Sequence, residues 1–331
     1  MDVNRNILKE LNEHQGDFIL SPYSFERAVG GAMYVMGMSK DKPAMDFTDG
    51  IEEFNNWYSE QRTDSADKAY EDRATEVFRD NKTKVSFSEK AETSNKINDD
   101  CNEKTHGMIP SIVSPGDFNG FRERGMVGLI LNTIYLKQKW YYERKKIEKF
   151  MFAGEEMEGM ESETTEKASI FWYNGGPLVT MYLKNGIKFH AFMPKDVTTG
   201  LSDKDIKFIT NYVAQKHSTI TSRIKMPFIK TDGDFSGIYE DDNHNKLQVR
   251  QKAKIICDDN GVEAAAATSV LCFSGCSAVE EKVLDIVLDK PFFFFIEKNG
   301  KIFFFGKKVG SYLHKDKKSK EVAEALGFGN D

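Results

Sequence analysis

The stretch that most constrains the fold lies near the C-terminal end, where Phe292 to Ile296 is an unbroken run of large apolar residues and Lys301 to Phe305 ends in three more phenylalanines. Between them stands Asn299-Gly300, a dipeptide that accepts positive φ and so makes the tight turn of an antiparallel hairpin. A strand that is apolar at every position has no face to give to water. The hairpin is therefore expected deep inside a domain, and the rest of the chain must supply the layers that cover it.

The 331 residues can do so: they are 40% hydrophobic, with 25 Phe against 8 Pro. That is ample for a substantial core and excludes wholesale disorder. With 52 acidic against 46 basic side chains and a net charge of −6, nothing draws the chain to phosphate backbones or anionic lipid. Neither nucleic acid nor a membrane is expected as a partner. Residues 1 to 15 (MDVNRNILKELNEHQ) read as an amphipathic helix and lack the apolar core of a signal peptide. Ala28 to Met38, with Glu26 and Arg27 before it, is about half as long as a membrane span.

The four cysteines, Cys101, Cys257, Cys272 and Cys276, form no C-x-x-C pair and have no nearby His at ligand spacing. No metal site or disulfide framework is predicted, and the cytoplasm is the expected location. Cys272 and Cys276 would align on a helix but not along an extended segment. The histidines at 14, 106, 190, 217, 244 and 314 fall in no catalytic motif, and neither a nucleophile elbow nor a phosphate loop is present. An enzyme is not expected, and no cofactor is implied.

Along the chain, Pro22 between Ser21 and Ser24 marks a helix start. Residues 40 to 84 are charge-rich and weakly patterned. Gly128 to Lys137 (GLILNTIYLK) suits a central strand buried on both faces. The basic stretch Lys137 to Lys149 and the acidic stretch Glu155 to Glu166 read as solvated faces. Beyond Asn185-Gly186 come short strands at Lys188 to Met193, Ser222 to Phe228 and Lys252 to Cys257, with Pro194 and Pro227 at ends or edges. No repeat or linker appears, so residues 1–331 are read as one domain.

One segment does not fit this pattern. Between strands ending near Asp259 and starting near Val283 lies GVEAAAATSVLCFSGCSAVEEK, loop-like in length yet without the punctuation of loops. Ala264 to Ala267 can be read as a helical turn, because Ala is the best helix former. They can also be read as a segment small and uncharged enough to slide into a sheet as an added strand.

At this point the chain resembles a serpin. Ile286-Val287-Leu288-Asp289-Lys290-Pro291-Phe292-Phe293-Phe294-Phe295-Ile296 fits the family's C-terminal signature, and Gly261-Val262-Glu263 followed by Ala264, Ala265, Ala266, Ala267 and Thr268 is similar to its proximal hinge. Leu131 to Lys137 with Trp140 resembles the third strand of the main sheet and the tryptophan at its opening point. Ser21-Pro22-Tyr23-Ser24, Ile97-Asn98 with Thr105 and Gly107, and Asp234 to Ile238 match further landmarks in order. The resemblance implies a single-domain α+β fold with a large central sheet, smaller sheets, surrounding helices and an exposed reactive loop, with hinge and loop at residues 259–282. It also implies a monomeric suicide inhibitor of a serine or cysteine protease, and a sheet-opening network of Ser24, Asn132, Trp140 and Gln251.

Gln251 stands where the family usually has His, but it can still donate and accept. Between Lys230 and Asp234 a helix-containing segment is absent, and residues 40 to 84 are expected to be too short for a full set of helices and a clear second strand. The trimmed chain resembles the compact intracellular serpins of poxviruses, which implies host-defence modulation in the host cytoplasm. Family spacing from the hinge puts the scissile bond at Gly275-Cys276. Counting back from Asp289-Lys290-Pro291 puts it near Ser277, and a loop one residue shorter puts it at Ser274-Gly275, after Phe273. No acidic residue precedes any of these bonds, so targets that require Asp there are not implied. The alternative reading is a serpin-fold binding protein without inhibition.

Overall fold

Ser21 accepts a hydrogen bond from the Ser24 amide at 3.2 Å, and Pro22 occupies the first turn of helix α1 (Pro22–Val35). A proline costs nothing there, because that amide has no intrahelical partner. The computed structural model describes residues 16–43, 51–60, 65–121, 123–197, 200–240, 242, 244–262 and 282–310. The expected helix over residues 1 to 15 lies outside them. The chain divides into two compact units, one of Leu20–Leu136 and Asp232–Lys254, the other of Met1–Ile19, Lys137–Thr231 and Ile255–Asp331.

The first unit places α1, α2 (Ser65–Phe78) and α3 (Lys90–Lys104) with a sheet. Its centre is β4 (Met126–Leu136), buried at every position as a strand that is apolar but for Asn132 and Thr133 would be. On one side β4 pairs antiparallel with β2 (Ile51–Ser59), from Ile51↔Leu136 to Tyr58↔Leu129, and β2 continues in parallel to β3 (Lys82–Lys84). On the other side β4 runs parallel to β13 (Lys246–Asp258), with Asn132 opposite Gln251. β12 (Ile229–Glu240) pairs with β13 and runs without interruption past Lys230 and Asp234, where the sequence lacks the usual helical segment.

The second strand corrects one expectation. Residues 40 to 84 do contain it, as the nine residues of β2. It was hidden because Asn55 and Asn56 are buried in it and break the apolar pattern. Asn98, a family landmark, accepts from the Ile112 and Val113 amides (2.8 and 3.1 Å) and so ties α3 to the chain ahead of β4.

The second unit carries a ladder in the order β1-β17-β16-β10-β9-β8-β11-β7-β6. Its strands are β1 (Phe18–Leu20), β6 (Arg144–Phe152), β7 (Glu155–Ser162), β8 (Glu166–Tyr173), β9 (Gly176–Tyr182), β10 (Lys188–Phe192), β11 (Ile220–Pro227), β16 (Phe292–Lys298) and β17 (Lys301–Lys308). β15 (Leu284–Val287) lies parallel to β11, and α4 (Asp203–Val213) completes the set. The aromatic hairpin is where the sequence puts it. Phe292 to Phe295 are fully buried, Phe294 stacks on Phe189 at 5.8 Å, and Asn299 and Gly300 turn with φ of 53° and 81°.

The basic and acidic stretches form the β6–β7 hairpin, whose exposed lysines pair across strands, Lys145 to Glu161 at 3.0 Å and Lys149 to Glu156 at 3.2 Å. They are solvated faces, as expected, with Arg144 and Glu166 as buried exceptions. Among the described residues no helix is long and apolar enough to cross a membrane.

Candidate functional site

The first unit brings together Ser24, Asn132 and Gln251. All three are buried. The Ser24 hydroxyl donates to Asn132 Oδ1, and Gln251 Nε2 reaches the same oxygen at 3.5 Å. Gln251 also closes a two-way link with the start of α1: its Nε2 donates to the Ser21 carbonyl at 3.1 Å, and its Oε1 accepts from the Ser21 amide at 3.4 Å. A glutamine thus fills the position of the expected histidine by using both ends of its amide.

Two members of this network escaped the sequence reading. Glu53 on β2 accepts from Asn132 Nδ2 at 2.9 Å, and its other oxygen lies 3.0 Å from Arg27 Nη1. Arg27 in turn donates to the Tyr23 hydroxyl. Burial pushes the Glu53 carboxyl above its ordinary value, against the opposing pull of the Arg27 charge and the Asn132 bond. Arg27 and Tyr23 are one helical turn apart, which is a legible signal. Nothing in the sequence tells that Arg27 turns inward to a strand.

Trp140 belongs to the second unit. Its indole N–H donates to the Asp258 carbonyl at 2.7 Å, Phe189 meets its edge at 5.7 Å, and the Arg144 guanidinium sits over its face at 4.4 Å. Arg144 Nη2 lies 2.9 Å from both oxygens of Glu166, which also accepts from Ser162 Oγ at 2.5 Å. Burial lowers the Arg144 pKa, opposed by the Glu166 charge.

Gly261 and Val262, the first residues of the expected hinge, form strand β14 (Gly261–Val262), paired on both sides. It pairs antiparallel with the end of β13, Cys257↔Val262 and Asp258↔Gly261, after a turn in which Asp258 Oδ1 accepts from the Asn260 amide at 2.9 Å. It also pairs antiparallel with β5 (Gln138–Lys139), Gly261↔Lys139 and Val262↔Gln138. Val262 is 2% exposed. Gly261 has φ of 147°, and a Cβ there would stand 2.2 Å from the Gln138 carbonyl oxygen, so only glycine lets the strands close.

Glu263 to Thr268 of the hinge and Phe273, Ser274, Gly275, Cys276 and Ser277 of the reactive loop lie outside the described residues, as does Cys272. Cys101 and Cys257 are free and buried; burial pushes the Cys101 thiol up to about 12 and the Cys257 thiol upward as well. Among the described residues no group of His, Cys, Asp and Glu is arranged to hold a metal ion.

The first unit thus holds a parallel strand pair bridged by a buried polar network, and the second holds Gly261 and Val262 paired as a strand. The chain belongs to the serpin family: the model for serpins (serine protease inhibitors) matches residues 46–231 and 223–310. It is 27% identical to human Serpin B8 over 246 residues, which is 64% of this chain and 64% of that protein. The matched region thus spans less than two thirds of that relative's length. Among solved structures it is similar to Serpin48 of the insect Tenebrio molitor (TM-score 0.66, 19% identity, 92% of this chain and 94% of that one). It is also similar to thyroxine-binding globulin in complex with thyroxine (TM-score 0.65, 14% identity, 92% and 96%). These likenesses show the serpin α+β fold.

Proposed function

We propose that the protein inhibits a serine or cysteine protease as a suicide substrate, as one domain over residues 1–331 with hinge and reactive loop at 259–282. The protease nucleophile attacks the carbonyl of Gly275, the Gly275-Cys276 bond breaks, and Cys276 leaves with the proton as a new amino terminus. Gly275 stays bound to the enzyme as an acyl group. The freed loop then adds to the sheet between β4 and β13 before water can deacylate the complex. Release of stored strain by insertion of a segment into a sheet is a general kind of conformational switch. From Gly261 to Gly275 an extended chain reaches roughly 50 Å, enough to carry an attached protease far along the sheet.

The observation that carries this reading is β14: Gly261 and Val262 are already hydrogen-bonded as a strand, with Val262 buried, at the head of the alanine run. Ala264 to Ala267 can follow without burying charge or bulk. The free buried thiols support the cytoplasm as the place of action. We extend this reading to host-defence modulation in the host cytoplasm, on the resemblance of the segment trimmed between Lys230 and Asp234 to compact poxvirus serpins.

The test is incubation with a panel of serine and cysteine proteases. A complex that survives denaturant, and sequencing of the released C-terminal peptide, identify both target class and bond among Gly275-Cys276, Ser274-Gly275 and the site near Ser277. A monomer by size exclusion is expected. Cleavage by every protease with no complex and no rise in Tm would favour instead a serpin-fold binding protein, the reading that Gln251 and the segment missing between Lys230 and Asp234 would then support.

A further inference from the structure

The buried network around Asn132 has a direction, and one residue sets it. The amides of Asn and Gln offer a donor at one end and an acceptor at the other, and turning one over barely changes its shape. An ionised carboxylate has no such freedom, because it only accepts. Glu53 Oε1 lies 2.9 Å from Asn132, so the donor end of that amide faces β2 and its oxygen faces Ser24 and Gln251. Ser24 and Gln251 must then donate to it, which leaves Gln251 Oε1 to accept from the Ser21 amide.

Arg27, 3.0 Å from Glu53, favours the ionised form of this acceptor, and the two side chains are only 8% and 7% exposed. Facing Glu53, α1 presents the charged Arg27 and β4 the neutral Asn132. Glu52, next along β2, bonds instead to His106, 2.9 Å away and half-exposed.

We propose that Glu53, held by Arg27, is a positioning residue that fixes the orientation of the Asn132 amide and, through it, the side-chain bond across the β4–β13 seam. The functional consequence rests on the reading of strand insertion above: parting β4 from β13 must break the Gln251–Asn132 bond, so a network free to turn over would part more readily. The orientation itself does not rest on that reading.

Glu53→Gln alone leaves Arg27 buried beside a neutral partner and risks misfolding. The double variant Arg27→Gln/Glu53→Gln removes both charges and keeps hydrogen-bonding side chains in place. The side-chain amide signals of Asn132, assigned through Asn132→Asp, are followed by nitrogen-15 NMR in the full chain between pH 4 and 8. In the parent, one Asn132 signal pair is expected, moving with a carboxylate titration above the usual range for Glu. In the double variant that movement disappears and the signals split or shift together with those of Gln251. An Asn132 amide that does not titrate in the parent, or that keeps a single unshifted pair in the double variant, overturns the proposal. After the loop is nicked by a non-target protease, the double variant should gain stability roughly ten-fold faster than the parent, in keeping with the loss of a hydrogen bond to a charged group. A parent that gains none refutes strand insertion and leaves the amide signals to decide the orientation. A nicked double variant that gains stability no faster than a parent that does gain it refutes the link between that orientation and the seam.

Discussion

Trp140 donates its indole N–H to the backbone carbonyl of Asp258 at 2.7 Å, at the residue where β13 ends and the turn into the hinge begins. The ring is itself held on two sides, by Phe189 at its edge and Arg144 over its face. The turn that leads into β14 is therefore tied to a held aromatic and not only to its own ladder.

Trp140→Phe keeps most of the apolar bulk but deletes the donor to Asp258 and weakens the cation–π contact with Arg144. A loss of about 1–3 kcal/mol in unfolding free energy is expected. Denaturant midpoints measure it, and faster amide exchange at Val262 would show that the loss falls on the hinge. Unchanged exchange there would mean that the tie does not reach β14.

Gly261→Ala should be costlier than an exposed glycine change. Its φ of 147° and the 2.2 Å approach to the Gln138 carbonyl leave no room for a methyl group. The β14–β5 pairing should open, with a destabilisation of about 1–3 kcal/mol from backbone strain and loss of exchange protection at both Val262 and Lys139.

Val262→Arg puts a charge where the side chain is now buried between β13 and β5. An unpaired buried charge is strongly disfavoured, so the hinge should leave the sheet. The expected result is a substrate: the loop is cut at the parent's initial rate, and the covalent complex is lost. A variant that inhibits as well as the parent would show that Val262 is not where insertion starts.

What was legible follows from how each residue acts. The Phe292–Ile296 run is apolar throughout and β4 nearly so, with only Asn132 and Thr133 polar, and burial is the one property that local pattern reports directly. β2 was missed because Asn55 and Asn56 are buried polar residues in a strand, stabilised by partners the pattern cannot show. Of the network, Ser24, Asn132 and Gln251 were found through family resemblance and do meet. Arg27 and Glu53 were not found, since an ion pair between a helix and a distant strand leaves no trace in spacing. For the same reason Arg144 and Glu166 passed as members of solvated charge runs although both side chains are 1% exposed.

That buried pair gives a further prediction. Glu166→Gln leaves the Arg144 guanidinium in the interior without its countercharge, which should cost about 3–5 kcal/mol. Replacing both, as Arg144→Met/Glu166→Gln, removes the orphaned charge and should recover most of the loss. Urea unfolding of the two single variants and the double variant closes the cycle. An additive result would mean that the pair is not coupled.

The last prediction concerns acid. His190 is fully enclosed, and burial holds its imidazole below the ordinary 6.5, against the pull of Glu297 at 3.5 Å. For Glu297, burial alone would raise the carboxyl, but bonds from His190, the Gly300 amide and Lys188 outweigh it and hold it below the ordinary 4.5. Both groups therefore bind protons more readily in the unfolded chain. The stability they contribute is complete above the unfolded values, so it falls first as pH drops below about 6.5 through His190, and again below about 4.5 through Glu297. His190→Gln, which cannot take a proton, should flatten the upper part of this profile, while a smaller lower part persists through the Gly300 amide and Lys188. Unfolding free energies measured between pH 7.5 and 3.5 test it, and an equally steep fall through pH 6 in the variant would assign the acid sensitivity to another group.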